Sequence, residues 1–280
     1  MDAGSRKCRK GMAMGCRKSA AQGVNMRYQA AIFDMDGTIL NTAEDLTDAL
    51  NWALDASERR ADYTVDQVRQ FFGSGAHVAI ERALAVENGM EMEDLEEIGA
   101  TDSDSAKVWS AQLLARYDVR ESEVNHIQEL FTPYYAEHCD IKTGPYPGIP
   151  EAIRDLRKAG LKTAVVSNKP DVAVQKLAAD IFPGLFDVSI GEMPGVRRKP
   201  APDMTLRALA LLGVNREGAV YIGDSEVDMM TAANAGLPCI SVSWGFRGRR
   251  FLEEHKASCI VDSAAEMAEE IVRHGYEIKE

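Results

Sequence analysis

Two carboxylates one residue apart stand in Phe33-Asp34-Met35-Asp36-Gly37-Thr38, directly after the apolar run Ala30-Ala31-Ile32-Phe33. Side chains alternate along an extended chain, so Asp34 and Asp36 face one pocket while Met35 turns back into protein. Two anions so placed repel one another, and one takes up a proton unless a cation joins them. The pair therefore asks for a metal. A short, continuous apolar run suits a strand buried on both faces of a parallel sheet, and ligands of such sheets bind beyond the carboxyl ends of the strands. A plain turn at Asp36-Gly37 would explain the same letters, so the other strand ends must decide.

Three of them carry suitable groups. Val165-Val166 leads into Ser167-Asn168-Lys169, offering a hydroxyl and an amide either to a phosphate or to the cap of the following helix. The run Arg197-Arg198-Lys199-Pro200-Ala201-Pro202 sets cations just ahead of a helix. Lys199, steadied by the two prolines, can neutralise a carboxylate and a phosphoryl oxygen together, whereas Arg197 and Arg198 read as a solvated loop. The apolar stretch Ala219 to Ile222 opens into Gly223-Asp224-Ser225-Glu226-Val227-Asp228, where Asp224 is a second source of metal-binding oxygen. Asp228 either joins it or completes a capping box with Ser225. A donor set of hard oxygens without His or Cys favours magnesium over zinc.

The elements that must position these groups follow from periodicity. From Glu44 to about Cys139 apolar residues recur at three and four, as in Leu46, Ala49, Leu50, Ala53 and Leu54. This helical stretch is too long for an ordinary crossover between strands, and reads as an inserted helical domain over residues 43–142. Its acidic middle, residues 87–104, is expected to be an exposed loop or loosely packed turn. Thr143 to Gly148, with two prolines and two glycines, marks a hinge. Beyond it, strands at 161–166, 185–190, 219–222, 238–242 and 258–261 alternate with helices at 149–158, 172–181, 202–212, 226–235 and 264–274. Such alternation predicts an α/β fold, a parallel sheet with helices on both faces, built from residues 27–42 and 143–280.

Composition bounds the rest. The chain has 280 residues, 45% hydrophobic and 27% charged, with a net charge of -12. Residues 1–26 form a basic tail in which Arg6, Lys7, Arg9, Lys10, Arg17 and Lys18 face Asp2 alone, so the remainder is more acidic still. The tail lacks apolar periodicity and reads as disordered, an upstream start-site artefact ahead of Met26 or a dispensable extension. An acidic body argues against nucleic acid as partner. No apolar run approaches the roughly 20 residues that span a bilayer, which argues against a membrane. Five cysteines without paired spacing suggest neither zinc nor a disulfide framework, and a cytoplasmic protein, monomer or homodimer, is expected.

The four segments D-M-D-G-T, S-N-K, R-K-P and G-D-S-E-V-D, in this order between about residues 28 and 262, together resemble the haloacid dehalogenase-like superfamily. The resemblance implies a Rossmann-like core with a helical cap inserted after the first motif. It implies Asp34 as nucleophile, Asp36 as general acid and base, and Lys199 as charge neutraliser. Ser167 and Asn168 would bind phosphate, with Thr38 beside them. Asp34, Asp224 and the Asp36 carbonyl would hold magnesium, and Asp228 would support the metal's water shell or Lys199. A proton donor at Asp36 suits phosphoryl transfer rather than dehalogenation.

Phe71-Phe72-Gly73-Ser74-Gly75-Ala76-His77 with Glu81-Arg82, Pro145 to Ile149, and Ser243-Trp244-Gly245-Phe246-Arg247 are similar to segments of phosphoglycolate phosphatases. In that reading Gly73 and Gly75 approach a small anionic substrate, and Arg82 or His77 meets its carboxylate or else lies on a helix surface. A phosphatase acting on small phosphate monoesters, first of all 2-phosphoglycolate, is expected. A broad sugar-phosphate phosphatase or a β-phosphoglucomutase-like mutase is the alternative, and a non-catalytic binding module on the same core comes behind both.

Overall fold

The structure, a computed structural model, describes residues 28–98 and 104–275; the basic tail at 1–26 lies outside the described residues. The chain enters through β1 (Ala30–Phe33), turns, and makes the two-residue β2 (Leu40–Asn41). Five helices follow: α1 (Ala43–Asp55), α2 (Val65–Phe71), α3 (Ala76–Glu87), α4 (Asp104–Arg116) and α5 (Glu121–His138). The two-residue β3 (Gly144–Pro145) returns the chain, and α6 (Ile149–Lys158), β4 (Lys162–Pro170), α7 (Asp171–Ile181) and β5 (Val188–Glu192) come next. Then come α8 (Asp203–Leu212), β6 (Ala219–Gly223), α9 (Glu226–Ala235) and β7 (Cys239–Val242), with α10 (Gly248–Glu254), β8 (Ile260–Val261) and α11 (Ala264–Gly275) to finish.

Six strands form one parallel sheet in the order β5-β4-β1-β6-β7-β8. The chain moves outward from β1 in one direction and restarts at β6 on its other side, which opens a crevice beyond the carboxyl end of β1. Register fixes what meets there: Phe33 pairs with Val165 of β4 and Ile222 of β6, so the residues just after all three reach one rim. The alternation of an extended chain divides the core in two. Ala31 and Phe33 pack with Leu156, Leu177 and Met267 on one face; Ala30 and Ile32 pack with Met204, Leu209 and Ala232 on the other. A helical layer therefore covers each side, as the alternation of elements implied.

The helical stretch buries the stripe its spacing marked, with Leu46, Ala49, Leu50, Ala53 and Leu54 all inside. A capping box between Thr64 and Gln67 starts α2 by satisfying backbone groups that the first turn leaves unpaired. The two passages joining helices to sheet lie side by side. Leu40 pairs with Pro145 and Asn41 with Gly144, and the buried Asp45 carboxylate accepts the main-chain N–H groups of Lys142 and Thr143.

Several expectations need correction. Residues 87–104 are not a loose loop throughout: Met92–Glu97 form a 3-10 turn, Met90, Leu95 and Ile98 are buried, and the Ile98 carbonyl accepts from Arg82. Their acidic neighbours hid three apolar anchors. Strand β5 starts at Val188 instead of Leu185, because the Leu185 carbonyl is taken by the Thr163 hydroxyl at 2.5 Å and not by a ladder. Helix α10 was unforeseen, since Leu252 is its one fully buried residue and no period shows. Among the described residues no helix is long and apolar enough to cross a membrane, and Cys139, Cys239 and Cys259 are free thiols.

Candidate active site

Asp34 follows β1, and its main-chain N–H donates to the Ile222 carbonyl, which extends the sheet by one rung and aims the carboxylate at the rim. Met35 is fully buried, and Asp34 and Asp36 both line a small cavity of about 50 Å³. Gly37 has φ of +81°, and a Cβ there would sit 2.3 Å from Asp224 Oδ2. Only glycine satisfies both the left-handed backbone and the close approach.

Each of the two aspartates has its own ammonium group. Lys199 Nζ is 2.6 Å from Asp34 Oδ1, and Lys169 Nζ is 2.9 Å from Asp36 Oδ1. Both lysines are buried. Burial opposes their charge, but Asp228 and Asp34 hold Lys199 well above the usual lysine range, and Asp36 and Tyr135 do the same for Lys169. The repulsion expected between Asp34 and Asp36 is therefore relieved by two side chains. The excess of negative charge lies one step deeper.

That excess is the cluster of Asp34, Asp224 and Asp228, all buried, with one carboxylate oxygen of each within 4.8 Å of the others. Burial and the neighbouring Asp228 push Asp224 up to about 7, against donation from the Phe246 N–H. Burial, again with Asp228, raises Asp34 despite Lys199. Three carboxylates against one ammonium leave room, in charge and in chemistry, for a cation with a taste for hard oxygen, so the donor set fits a divalent metal. Asp36 is outside this cluster, its carboxylate being engaged by Lys169.

Asp228 serves both roles that its position suggested. Its Oδ1 accepts from Lys199 at 2.8 Å and from the Tyr221 hydroxyl, while Oδ2 accepts from Ser225 Oγ at 2.7 Å and closes the capping box of α9. With donors on both oxygens, it is better placed to hold Lys199 than to ligate. Lys199 is fixed at its backbone as well: Asn168 Oδ1 accepts its N–H and Asn168 Nδ2 donates to its carbonyl.

The three residues expected to bind phosphate divide between the cavity and its supports. Asn168 lines the cavity, yet its amide is committed to Lys199 and, at 3.3 Å, to the Gly73 carbonyl, so it is a clamp. Ser167 lines the cavity, with its hydroxyl accepting the Lys169 N–H at 3.2 Å and its own proton available. Thr38 does not reach the cavity; its hydroxyl donates to Asp224 Oδ1 at 3.2 Å. Gly73 and Gly75 do line the wall, as expected.

Arg82 is the clear correction. It is completely buried and outside the cavity, with its guanidinium donating to the carbonyls of Gln70, Phe71 and Ile98. It ties the end of α2 to the segment beyond α3, since the carbonyls of Gln70 and Phe71 on one side and of Ile98 on the other accept from the one guanidinium. His77 hydrogen-bonds Gln128 and stands 3.5 Å from Glu81, facing a second cavity instead of the first.

Sequence reasoning missed the group around Asp36. Lys169 also contacts the Tyr135 hydroxyl and lies 4.4 Å from the centre of that ring, so helix α5 reaches a residue of the DxD segment through one lysine. A cation at the end of a phosphate-facing strand was the available signal. Arg247 was missed too: it pairs with Glu226 and donates to the Arg69 and Phe72 carbonyls, tying the loop before Gly73 to the sheet.

Comparison with known proteins bears on this geometry. The model of the haloacid dehalogenase-like hydrolases matches residues 28–236. A phosphoglycolate phosphatase of Mesorhizobium japonicum is 32% identical over 251 residues, covering 86% of this chain and 96% of the relative. Phosphoglycolate phosphatase 1 of Pseudomonas aeruginosa is 29% identical, covering 86% and 81%. A solved structure from Lactobacillus delbrueckii subsp. bulgaricus, assigned to the phosphoglycolate phosphatases by description, superposes with a TM-score of 0.80 at 51% identity, over 88% of this chain and 99% of that one.

Proposed function

The chain belongs to the haloacid dehalogenase-like hydrolase family as a phosphoric monoester hydrolase, and from that premise we propose that it hydrolyses 2-phosphoglycolate through a covalent intermediate on Asp34. The observation that carries the reading is Asp34 at 2.6 Å from Lys199, at the wall of a cavity it shares with Asp36.

The phosphoryl group enters the cavity between the strand ends and Gly73 to Ala76, where the Ser167 hydroxyl can donate to it. Asp34 attacks phosphorus, the ester P–O bond breaks, and the leaving oxygen takes a proton from Asp36, which enters the step as the carboxylic acid and becomes a carboxylate facing Lys169. Water then attacks the aspartyl-phosphate, Asp36 takes a proton from it, and the bond from phosphorus to Asp34 breaks to release phosphate. Lys199, held by Asp228 and Asn168, offsets charge on Asp34 and on the phosphoryl oxygens through both steps. Lys169 keeps the Asp36 carboxylate turned to the cavity. Phe72, Phe131 and Tyr135 close the wall with apolar surface, which keeps bulk water from the intermediate.

Asp34 and Asp224, with Asp228 behind Lys199, would hold a magnesium ion. When bound, it supplies positive charge that neutralises the transferring group. Division of the chain into a sheet domain, at 27–42 and 143–280, and a helical cap at 43–142 belongs to the same proposal.

The test is phosphate release from 2-phosphoglycolate by purified protein with magnesium. Asp34→Asn is expected to abolish release while the circular dichroism spectrum stays unchanged. Full activity in that variant, or none in the wild type across a panel of phosphate esters, would overturn the reading.

A further inference from the structure

Beside the catalytic cavity lies a larger one of about 300 Å³, and the two share Ala76, Phe131, Tyr135, Asn168 and Pro170 in their walls. The two spaces therefore adjoin across these five residues, and the second lies next to the place where a phosphate at Asp34 would carry its leaving group. The charged and titratable residues around it are His77, Lys176, Glu192 and Arg198. Lys176 is already paired with Asp140 and Asp180, and His77 is engaged by Gln128 and Glu81. Arg198 differs. Its guanidinium has no hydrogen bond or ion pair among the described residues, although its neighbours on either side, Arg197 and Lys199, are both paired with carboxylates.

Its position explains how it could serve the reaction. Arg198 Nη1 lies 3.4 Å from where a side chain on Gly75 would begin, and Gly75 lines the catalytic cavity. The guanidinium is thus at the junction of the two spaces, half-buried and without an ion pair among the described residues, Glu192 being the carboxylate in the same cavity wall. A cation kept there without a partner is matched by an anion that arrives with the substrate, and the planar fork of arginine suits a carboxylate. The solvated-loop reading of the R-R-K-P run holds for Arg197, whose partner Asp203 lies on the surface side, and fails for Arg198.

We propose that Arg198 receives the carboxylate of the leaving group and is the residue that makes the site prefer an acid-bearing ester over a neutral one of the same length. The inference rests on the phosphatase reading and names the side chain that recognises its substrate.

The experiment compares 2-phosphoglycolate with 2-hydroxyethyl phosphate, which has the same skeleton with an alcohol in place of the acid. The wild type is expected to prefer the acid. Arg198→Met should lower kcat/KM for 2-phosphoglycolate roughly 10- to 100-fold, mostly through KM, as befits loss of a charged hydrogen-bonded pair. It should leave 2-hydroxyethyl phosphate within about twofold, and Arg198→Lys should recover part of the loss. An equal fall on both esters, no change on either, or a wild type indifferent to the acid overturns the role of Arg198 while the phosphatase stands. A wild type that hydrolyses neither ester removes the phosphatase reading and this inference with it.

Discussion

Arg247→Met should cost this protein far more than the loss of a surface charge. Arg247 donates to both carboxylate oxygens of Glu226, at 2.9 and 3.1 Å, and to the Arg69 and Phe72 carbonyls, at 2.7 and 3.0 Å. Both side chains are buried. Burial alone would raise the Glu226 carboxyl, but Arg247 more than reverses this and holds it at about 2. The ordinary glutamate value is about 4.3, and a unit corresponds to about 1.4 kcal/mol, so the ionised state favours folding by about 3 kcal/mol. Removing one partner of a buried pair typically costs about 3–5 kcal/mol, since the remaining charge keeps its desolvation penalty. In a domain of this size that is a fall in Tm of roughly 6–20 °C.

The sign of the pH dependence makes the test sharper. With its folded value depressed, Glu226 contributes stability above about pH 4.3 that disappears as pH falls towards about 2. In Arg247→Met the buried carboxyl has lost its main cation and its folded value rises above the unfolded one. Acidification then relieves the variant where it weakens the wild type. Urea denaturation followed by circular dichroism between pH 6 and pH 3 measures both slopes, and Glu226→Gln completes a double-mutant cycle. A coupling of at least about 1.5 kcal/mol is expected for a bidentate pair. A loss below about 1 kcal/mol with an unchanged acid limb would refute the reasoning. Because Phe72 precedes Gly73 in the cavity wall, KM for the phosphate ester should rise in the same variant.

Two further outcomes follow from the geometry. Gly37→Ala forces a Cβ into a left-handed backbone, at roughly 1–2 kcal/mol, and into the Asp224 carboxylate 2.3 Å away, so activity should fall and half-saturation by magnesium should move to higher concentration in a metal titration. His77 has its value raised by the bond to Glu81, so it stabilises the fold below about pH 6.5 and the contribution fades as pH rises through the folded value; His77→Gln should flatten that segment of a plot of Tm against pH.

How far the site could be foreseen depended on how local each contact was. Asp34 and Asp36 share a cavity because an extended chain alternates, Ser167 joins them there because β4 flanks β1, and Asp224 meets Asp34 behind it because β6 flanks the other side; all of this follows from short-range pattern and one topological rule. Lys199 reaches the same point through a loop, yet its place in a short cation-and-proline run marked it. Arg82 misled because a guanidinium on a helix usually reaches water, and nothing nearby told that three carbonyls would surround it. Tyr135 was invisible for a different reason. Its contact with Lys169 depends on how α5 packs over the rim, a relation between elements 34 residues apart that no periodicity encodes. The same holds for Arg247, whose partners Arg69 and Phe72 at the end of α2 stand 178 and 175 residues away in the chain. Strands of two residues, such as β2 and β3, lie below the length at which any alternation can be read.

The antiparallel pairing of β2 and β3 sets the chain's departure to the helices and its return side by side. Strands so paired run about 5 Å apart and are commonly joined by a two-residue hairpin. Here residues 42–143 stand in place of that hairpin, and the two ends still meet at Asn41 and Gly144. Insertions or deletions between these two points leave the register of β2 and β3 intact as long as the ends still meet, whereas side chains that reach the rim from the helices, Tyr135 on Lys169 among them, would change with the block that carries them.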